Sequence, residues 1–144
     1  MPDDLFERVR ERGRRNSLWQ TIGLEVIAAE EGSVELGMDV RDDLRNGPGA
    51  SMHGGVLASA IDAAVAAALA STMPEDTAAG AASSTLDLNV SFLAPAMSGR
   101  LTVRGRILRR GRSVAFGQAD VFDEAGTHLA TGRATYNIRA SRSA

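Results

Sequence analysis

Asp62 is the only ionisable side chain in residues 54–73, GGVLASAIDAAVAAALASTM. A carboxylate among alanine, valine, leucine and isoleucine is costly unless it is paired, hydrogen-bonded or turned toward water. Helical spacing offers it no cation, because its i±3 and i±4 neighbours are Ala58, Ser59, Val65 and Ala66. Either a distant part of the fold satisfies Asp62, or it lines a site. A lone carboxylate in a site can act as a general base or as a nucleophile. The same segment opens with Gly54 and Gly55, directly after His53. Two glycines at a helix N-terminus let backbone N–H groups, aided by the helix dipole, approach an anion or a developing oxyanion. The plainer alternative is a glycine-assisted chain reversal that lets the helix pack closely. Asp62 lies about two turns further on, so whether both groups reach one substrate depends on how copies of the chain assemble.

The other polar residues are less telling. Gly49-Ala50-Ser51-Met52-His53 approaches a G-x-S-x-G nucleophile elbow, but its last position is not glycine and it follows a loop rather than a strand. His53 and His128 are the only histidines, too few for a histidine metal cluster, and His128 reads as an ordinary strand residue. The absence of cysteine removes disulfides, thiolate zinc sites and thiol nucleophiles together. Arg109, Arg110 and Arg112 around Gly111 form a basic patch. It is either a phosphate-binding group or a solvated hairpin tip. Five arginines in residues 7–15 interleave with acids, as on a solvated helix face rather than a nucleic-acid surface.

These residues need elements to hold them. At 144 residues the chain reads as one domain with a real core. A net charge of −2 gives no general attraction to nucleic acid or anionic membrane. The N-terminus is charged rather than apolar, which reads as no secretory signal and a cytoplasmic protein. The apolar run is alanine-rich, interrupted by Asp62 and without flanking anchors, which argues against a membrane span. All sixteen basic residues are arginine, a bias that fits GC-rich bacterial coding.

A first helix starts at Pro2-Asp3-Asp4, with Leu5, Phe6 and Val9 as its apolar stripe, and ends near Gly13. A short turn over 18–22 and a hairpin of 24–30 with 33–40 follow. Next come a glycine-rich loop over 41–53, the apolar helix, and a loop over 74–80. Further strands fall at 85–93, 99–108, 113–122 and 127–138, before a frayed tail. In the first of these, Leu86, Leu88, Val90 and Phe92 share one face, and Thr85, Asp87, Asn89 and Ser91 share the solvated one. The order predicts an α+β architecture, a five-stranded antiparallel sheet around one buried helix. A sheet covers one side of a helix that is apolar all round. The other side then needs more protein, which predicts a homo-oligomer.

The stretch HGGVLASAIDAA, with Asp62 nine positions after His53, resembles the signature of hotdog-fold acyl-CoA thioesterases, in particular the phenylacetyl-CoA/4-hydroxybenzoyl-CoA thioesterase branch. The downstream segments STLDLNVSFLAPA, LRRGRSVAF and ATGRATYNI fit the same pattern, so the resemblance spans residues 24–138. It implies a single hotdog domain over 1–144, with an N-terminal helical segment at 1–23, a core at 24–138 and a tail at 139–144. It also implies hydrolysis of acyl-CoA to a carboxylic acid and coenzyme A. Asp62 would be nucleophile or general base, and the Gly54 N–H would polarise the thioester carbonyl. His53 and Asn46 would shape the site, and Thr85 would orient water, with Ser83 or Ser84 able to take its place. Gly55, Phe92, Leu93, Arg109, Arg110, Gly111 and Arg112 would contact the substrate and its coenzyme A. No metal or cofactor would be needed, coenzyme A being part of the substrate. The site would form between two copies of a homodimer, itself the building block of a homotetramer, with no nucleic-acid or membrane partner.

The chemistry is economical. An alkyl thiolate, with a thiol pKa of about 8.5, leaves without a strong general acid, so a carbonyl polariser and one carboxylate suffice. Two rivals remain. A hotdog hydratase or dehydratase would use His53 and Asp62 as an acid–base pair and release no thiol. A non-catalytic acyl-CoA-binding module would bind saturably without turnover.

Overall fold

A computed structural model describes residues 3–74 and 83–139. The loop expected over 74–80 lies outside the described residues from position 75 on, as do Pro2 and the tail after Arg139. Helix α1 spans Asp3–Arg14 and α2 spans Ser17–Ile22. Asn16 caps α2 by accepting from the backbone N–H groups of Leu18 and Trp19 at 3.0 and 3.2 Å. Strands β1 (Glu25–Glu30) and β2 (Ser33–Asp39) form the expected hairpin. Helix α3 then runs Gly54–Ala70, followed by β3 (Ser83–Phe92), β4 (Arg100–Arg110), β5 (Val114–Phe122) and β6 (His128–Ile138). Among the described residues no helix is long and apolar enough to cross a membrane.

Six strands, not five, make one antiparallel sheet in the order β1-β2-β4-β5-β6-β3. Each of the four apolar segments after α3 contributes a strand, which lets the sheet reach further round the helix. α3 packs against β2, β3, β4, β5 and β6. Its closeness to the sheet follows from small residues on both surfaces. A Cβ added at Gly105 would sit 2.6 Å from the Ala64 carbonyl oxygen, and one at Gly117 would collide with Val65. Ala60, Ile61, Ala64, Ala68 and Leu69 are fully buried in that contact.

α1 packs on β1 and touches α3, and it inserts Val9 into the core with Leu5 and Phe6 against it. The second side of α3 is only partly covered within the chain: Val56, Ser59, Asp62, Ala63 and Ala66 stay half-buried along one stripe. Further unpartnered apolar surface lies at the β3 edge and the turn after it, where Leu86, Phe92 and Leu93 are each more than half exposed.

The sheet carries four register shifts, between Val26 and Ala28, Thr85 and Asp87, Ile107 and Arg109, and, in the β5–β6 ladder, Val121 and Phe122. The skipped residues Ile27, Leu86 and Leu108 are exposed, whereas Leu129, skipped in the fourth, turns into the core. The shift at Leu86 has the largest effect. Beyond it, Leu88, Val90 and Phe92 pair with Ala134, Gly132 and Ala130 on the inner face. Before it, Thr85 pairs with the buried Tyr136 and also faces inward. Thr85 is thus moved off the solvated face that strict alternation assigns it.

Gly105→Ala should destabilise the fold by ~1–3 kcal/mol in urea unfolding, the usual penalty for overpacking a close contact. Gly47→Ala, where an added Cβ meets nothing within 4 Å, should be nearly neutral.

Candidate active site

Asp62 is half-buried on α3, and two hydroxyls from the far edge of the sheet hold it. The Tyr136 phenol donates to Asp62 Oδ1 at 2.5 Å and lies 3.0 Å from the Asp62 carbonyl oxygen. Thr85 Oγ1 lies 3.0 Å from Oδ1 and 3.2 Å from Oδ2. Thr85 and Tyr136 are direct cross-strand partners between β3 and β6, so the two donors arrive as a pair. Of the two alternatives open from the sequence, the distant one holds: long-range hydroxyls satisfy the carboxylate, with no ion pair to it among the described residues. The carboxylate is still not sealed, since neither Asp62 nor Thr85 is buried. Burial first, and the Asp62 hydrogen bond second, push the Tyr136 phenol well above its ordinary value of 10, with the Thr85 hydroxyl opposing. The phenol therefore stays protonated, a donor throughout the working range of a protein. Arg12 on α1 is near enough to interact with Tyr136 electrostatically, and burial lowers its own pKa.

The helix N-terminus is organised separately. His53 Nδ1 accepts from the Gly55 N–H at 2.9 Å and so caps α3. The N–H groups of Val56 and Leu57 bond to the His53 carbonyl. The Gly54 N–H has no acceptor among the described residues, which leaves one free donor at the positive end of the helix. Beside it is a cavity of about 360 Å³ lined by Asn46, Ser51, Leu57, Phe92 and Pro95 among others. The Phe92 ring lies over Gly54, and a Cβ there would come within 3.2 Å of it. Asn46 Nδ2 reaches the Ser51 carbonyl at 3.2 Å. A bridge between Arg45 and Met52 closes the loop that presents these groups.

The expected site residues thus fall into three places. Asp62 and Thr85 meet; Ser83 and Ser84 make no hydrogen bond to Asp62. Gly54, Asn46, Phe92 and Leu93 meet at the cavity, while Gly55 and His53 form the adjoining helix cap and do not line it. Gly54 and Asp62 are eight residues apart on one helix, roughly 12 Å, too far for one carbonyl to touch both within a chain. Arg109, Arg110, Gly111 and Arg112 sit at the β4–β5 turn, where Arg110 Nε donates to Thr72 Oγ1 at 3.1 Å. That is the opposite end of α3 from Gly54, so a single chain does not bring the arginines to the cavity. Tyr136 was not singled out from the sequence. Its signal was its position in an inward-facing register of β6 beside Thr85, which requires knowing the strand pairing.

Comparisons with known proteins bear on the family and the fold. The sequence pattern of the thioesterase superfamily matches residues 49–130. A candidate esterase of Halobacterium salinarum is 33% identical, over 94% of this chain and 93% of its own length. Two solved structures are similar throughout. One is a thioesterase family protein of Silicibacter pomeroyi, 27% identical with a TM-score of 0.82, covering 93% of this chain and 97% of that one. The other is a candidate thioesterase, a phenylacetic acid degradation-related protein of Ralstonia eutropha. It is 31% identical with a TM-score of 0.78, covering 91% of this chain and 99% of that one.

His53→Ala should remove the cap and cost about 1 kcal/mol in chemical denaturation, whereas His53→Asn, which can accept from the same N–H, should recover most of it. The six-stranded antiparallel sheet around α3, the match over 49–130 and the identities place the chain in the thioesterase superfamily, a hotdog-fold hydrolase of thioesters.

Proposed function

We propose that the chain hydrolyses acyl-CoA thioesters to a carboxylic acid and coenzyme A, using Asp62 of one copy and the Gly54 N–H of another. The observation that carries this reading is the pairing of a lone hydroxyl-held carboxylate with a helix N-terminus that keeps one N–H free. Asp62 either attacks the carbonyl carbon or takes a proton from the water that does. The carbonyl oxygen gains negative charge, which the Gly54 N–H stabilises, and the C–S bond breaks as the thiolate leaves. In the first route water then hydrolyses the acyl-aspartate anhydride. Thr85 orients the attacking group, and Asn46, Gly55, Phe92 and Leu93 shape the acyl end. His53 fixes the helix start.

The dimer follows from the layout of the edge strand. β3 places Thr85 beside Asp62 and Phe92 beside Gly54, seven positions apart, roughly 23 Å. A two-fold antiparallel pairing of β3 with the same strand of another copy sets the Thr85 end of each against the Phe92 end of the other. The exposed Leu86, Leu88 and Phe92 and the unpaired edge favour such an addition. Arg109, Arg110 and Arg112 could reach a coenzyme A phosphate only through such an assembly.

Thiol release from a panel of acyl-CoAs tests the activity. Asp62→Asn and Asp62→Ala should fold and lose on the order of 10²–10⁴-fold in rate; wild-type rates in both would overturn the reading. A hydratase or a binding module would instead turn over or bind acyl-CoA without thiol.

Gly54→Pro deletes the free N–H at a first-turn position that accepts proline, and His53 before it is already extended at φ −59°, ψ 131°. Activity should fall by about 10²–10³-fold, whereas Gly54→Ala, which crowds Phe92 but keeps the donor, should lose far less. Co-refolding Asp62→Asn with Gly54→Pro should restore about a quarter of wild-type activity, because half the dimers are mixed and each has one intact site. A site within one chain would show no rescue.

A further inference from the structure

Tyr136 is the one group in contact with Asp62 that the thioester chemistry above leaves without a task. It is buried, it is inward-facing on β6, and its hydroxyl makes the shortest contact to the carboxylate. The two carboxylate oxygens are treated unequally. Oδ1 has both Tyr136 at 2.5 Å and Thr85 at 3.0 Å, while Oδ2 has only the shared Thr85 contact at 3.2 Å. Two donors satisfy most of what one carboxylate oxygen can accept. The second contact of the phenol, to the Asp62 carbonyl, ties the same hydroxyl to the helix backbone and fixes the ring relative to α3.

We infer that Tyr136 is a positioning residue: it holds Asp62 by Oδ1, so that Oδ2 is the oxygen presented to the thioester or to the attacking water. This rests on the reading of Asp62 as nucleophile or base. The phenol need not donate its proton to the substrate, and no proton is lost or gained by it through the cycle. Its effect is on the orientation of the carboxylate, which two contacts from one hydroxyl hold against α3. Among the described residues, the charged groups that act on the phenol are Asp62 from α3 and Arg12 from α1; its cross-strand neighbours Thr85 on β3 and Ala115 on β5 carry no charge.

Tyr136→Phe keeps the ring and removes only the hydroxyl. In thiol-release assays it should lower kcat by about 10-fold with KM nearly unchanged. A ring needed only for packing would leave both unchanged. Wild-type kcat in a folded Tyr136→Phe variant overturns the inference even if Asp62→Ala is inactive. A second measurement needs no thioester. Tyr136 is the only tyrosine in the chain, so alkaline titration of tyrosinate absorbance reports this one phenol. In the wild type it should titrate above the ordinary value of 10, and in Asp62→Ala its midpoint should fall, because burial persists and the carboxylate is gone. Identical midpoints would show that the pair does not form in solution. Normal pairing in that titration, with no acyl-CoA turned over, would fault the proposed activity instead.

Discussion

The closeness of α3 to the sheet is the constraint on which the rest depends. A helix rich in alanine can approach strands bearing Gly105 and Gly117 until its backbone nearly touches theirs. Larger residues at those points would lift the helix away. Lifting it would carry the Asp62 carboxylate out of reach of Tyr136 and Thr85, which are anchored in the sheet. It would also move Gly54 away from Phe92 and open the cavity beside it. The packing of small residues therefore sets the site geometry at two places on the helix at once. The N-terminal helices add to the cover, Gly13 and Trp19 packing against each other where α1 turns into α2.

Within that frame, the charge in the helix is stabilised by dipoles rather than by an ion pair. Hydroxyl donors to a carboxylate contribute roughly 1.5–3 kcal/mol each where desolvated, less where water reaches. They leave the carboxylate its full negative charge and open lone pairs. An arginine in the same place would have formed a bidentate pair and occupied both oxygens. Holding a reactive carboxylate with hydroxyls keeps it available, which suits an acid that must attack or take a proton. At the other end of the working region, His53 takes up one helix N–H and leaves its neighbour unused, so the donor set is narrowed to a single group.

Much of this was legible in the sequence, because it is encoded locally. The capped short helix, the β1–β2 hairpin, the apolar helix and its anomalous Asp62 all follow from nearest-neighbour patterns. The motif around His53 and Asp62 gave the family. What was hidden depends on pairing between distant strands. Tyr136 and Asp62 are far apart in the chain, and nothing local marks a tyrosine on β6 as a ligand for α3. Thr85 was placed on the wrong face because alternation was carried unbroken through Leu86. The count of five strands fell one short of the six strand segments that the sequence itself marks.

The extra residue at Leu86 also bears on how this strand should be matched to those of relatives. The ladder before it and the ladder after it are out of phase by one position, so parity of residue number has opposite meanings on the two sides. A relative that has one residue fewer in this strand would line up Leu86 with the site if residues were simply counted back from the core. Matched by face, Thr85 is the equivalent position, and the unmatched residue falls at the bulge. Deleting Leu86 itself would leave Thr85 opposite Tyr136 on an unbroken ladder, so the bulge can be gained or lost with the hydroxyl at the carboxylate and the hydrophobic half of the strand, Leu88 to Phe92, both untouched.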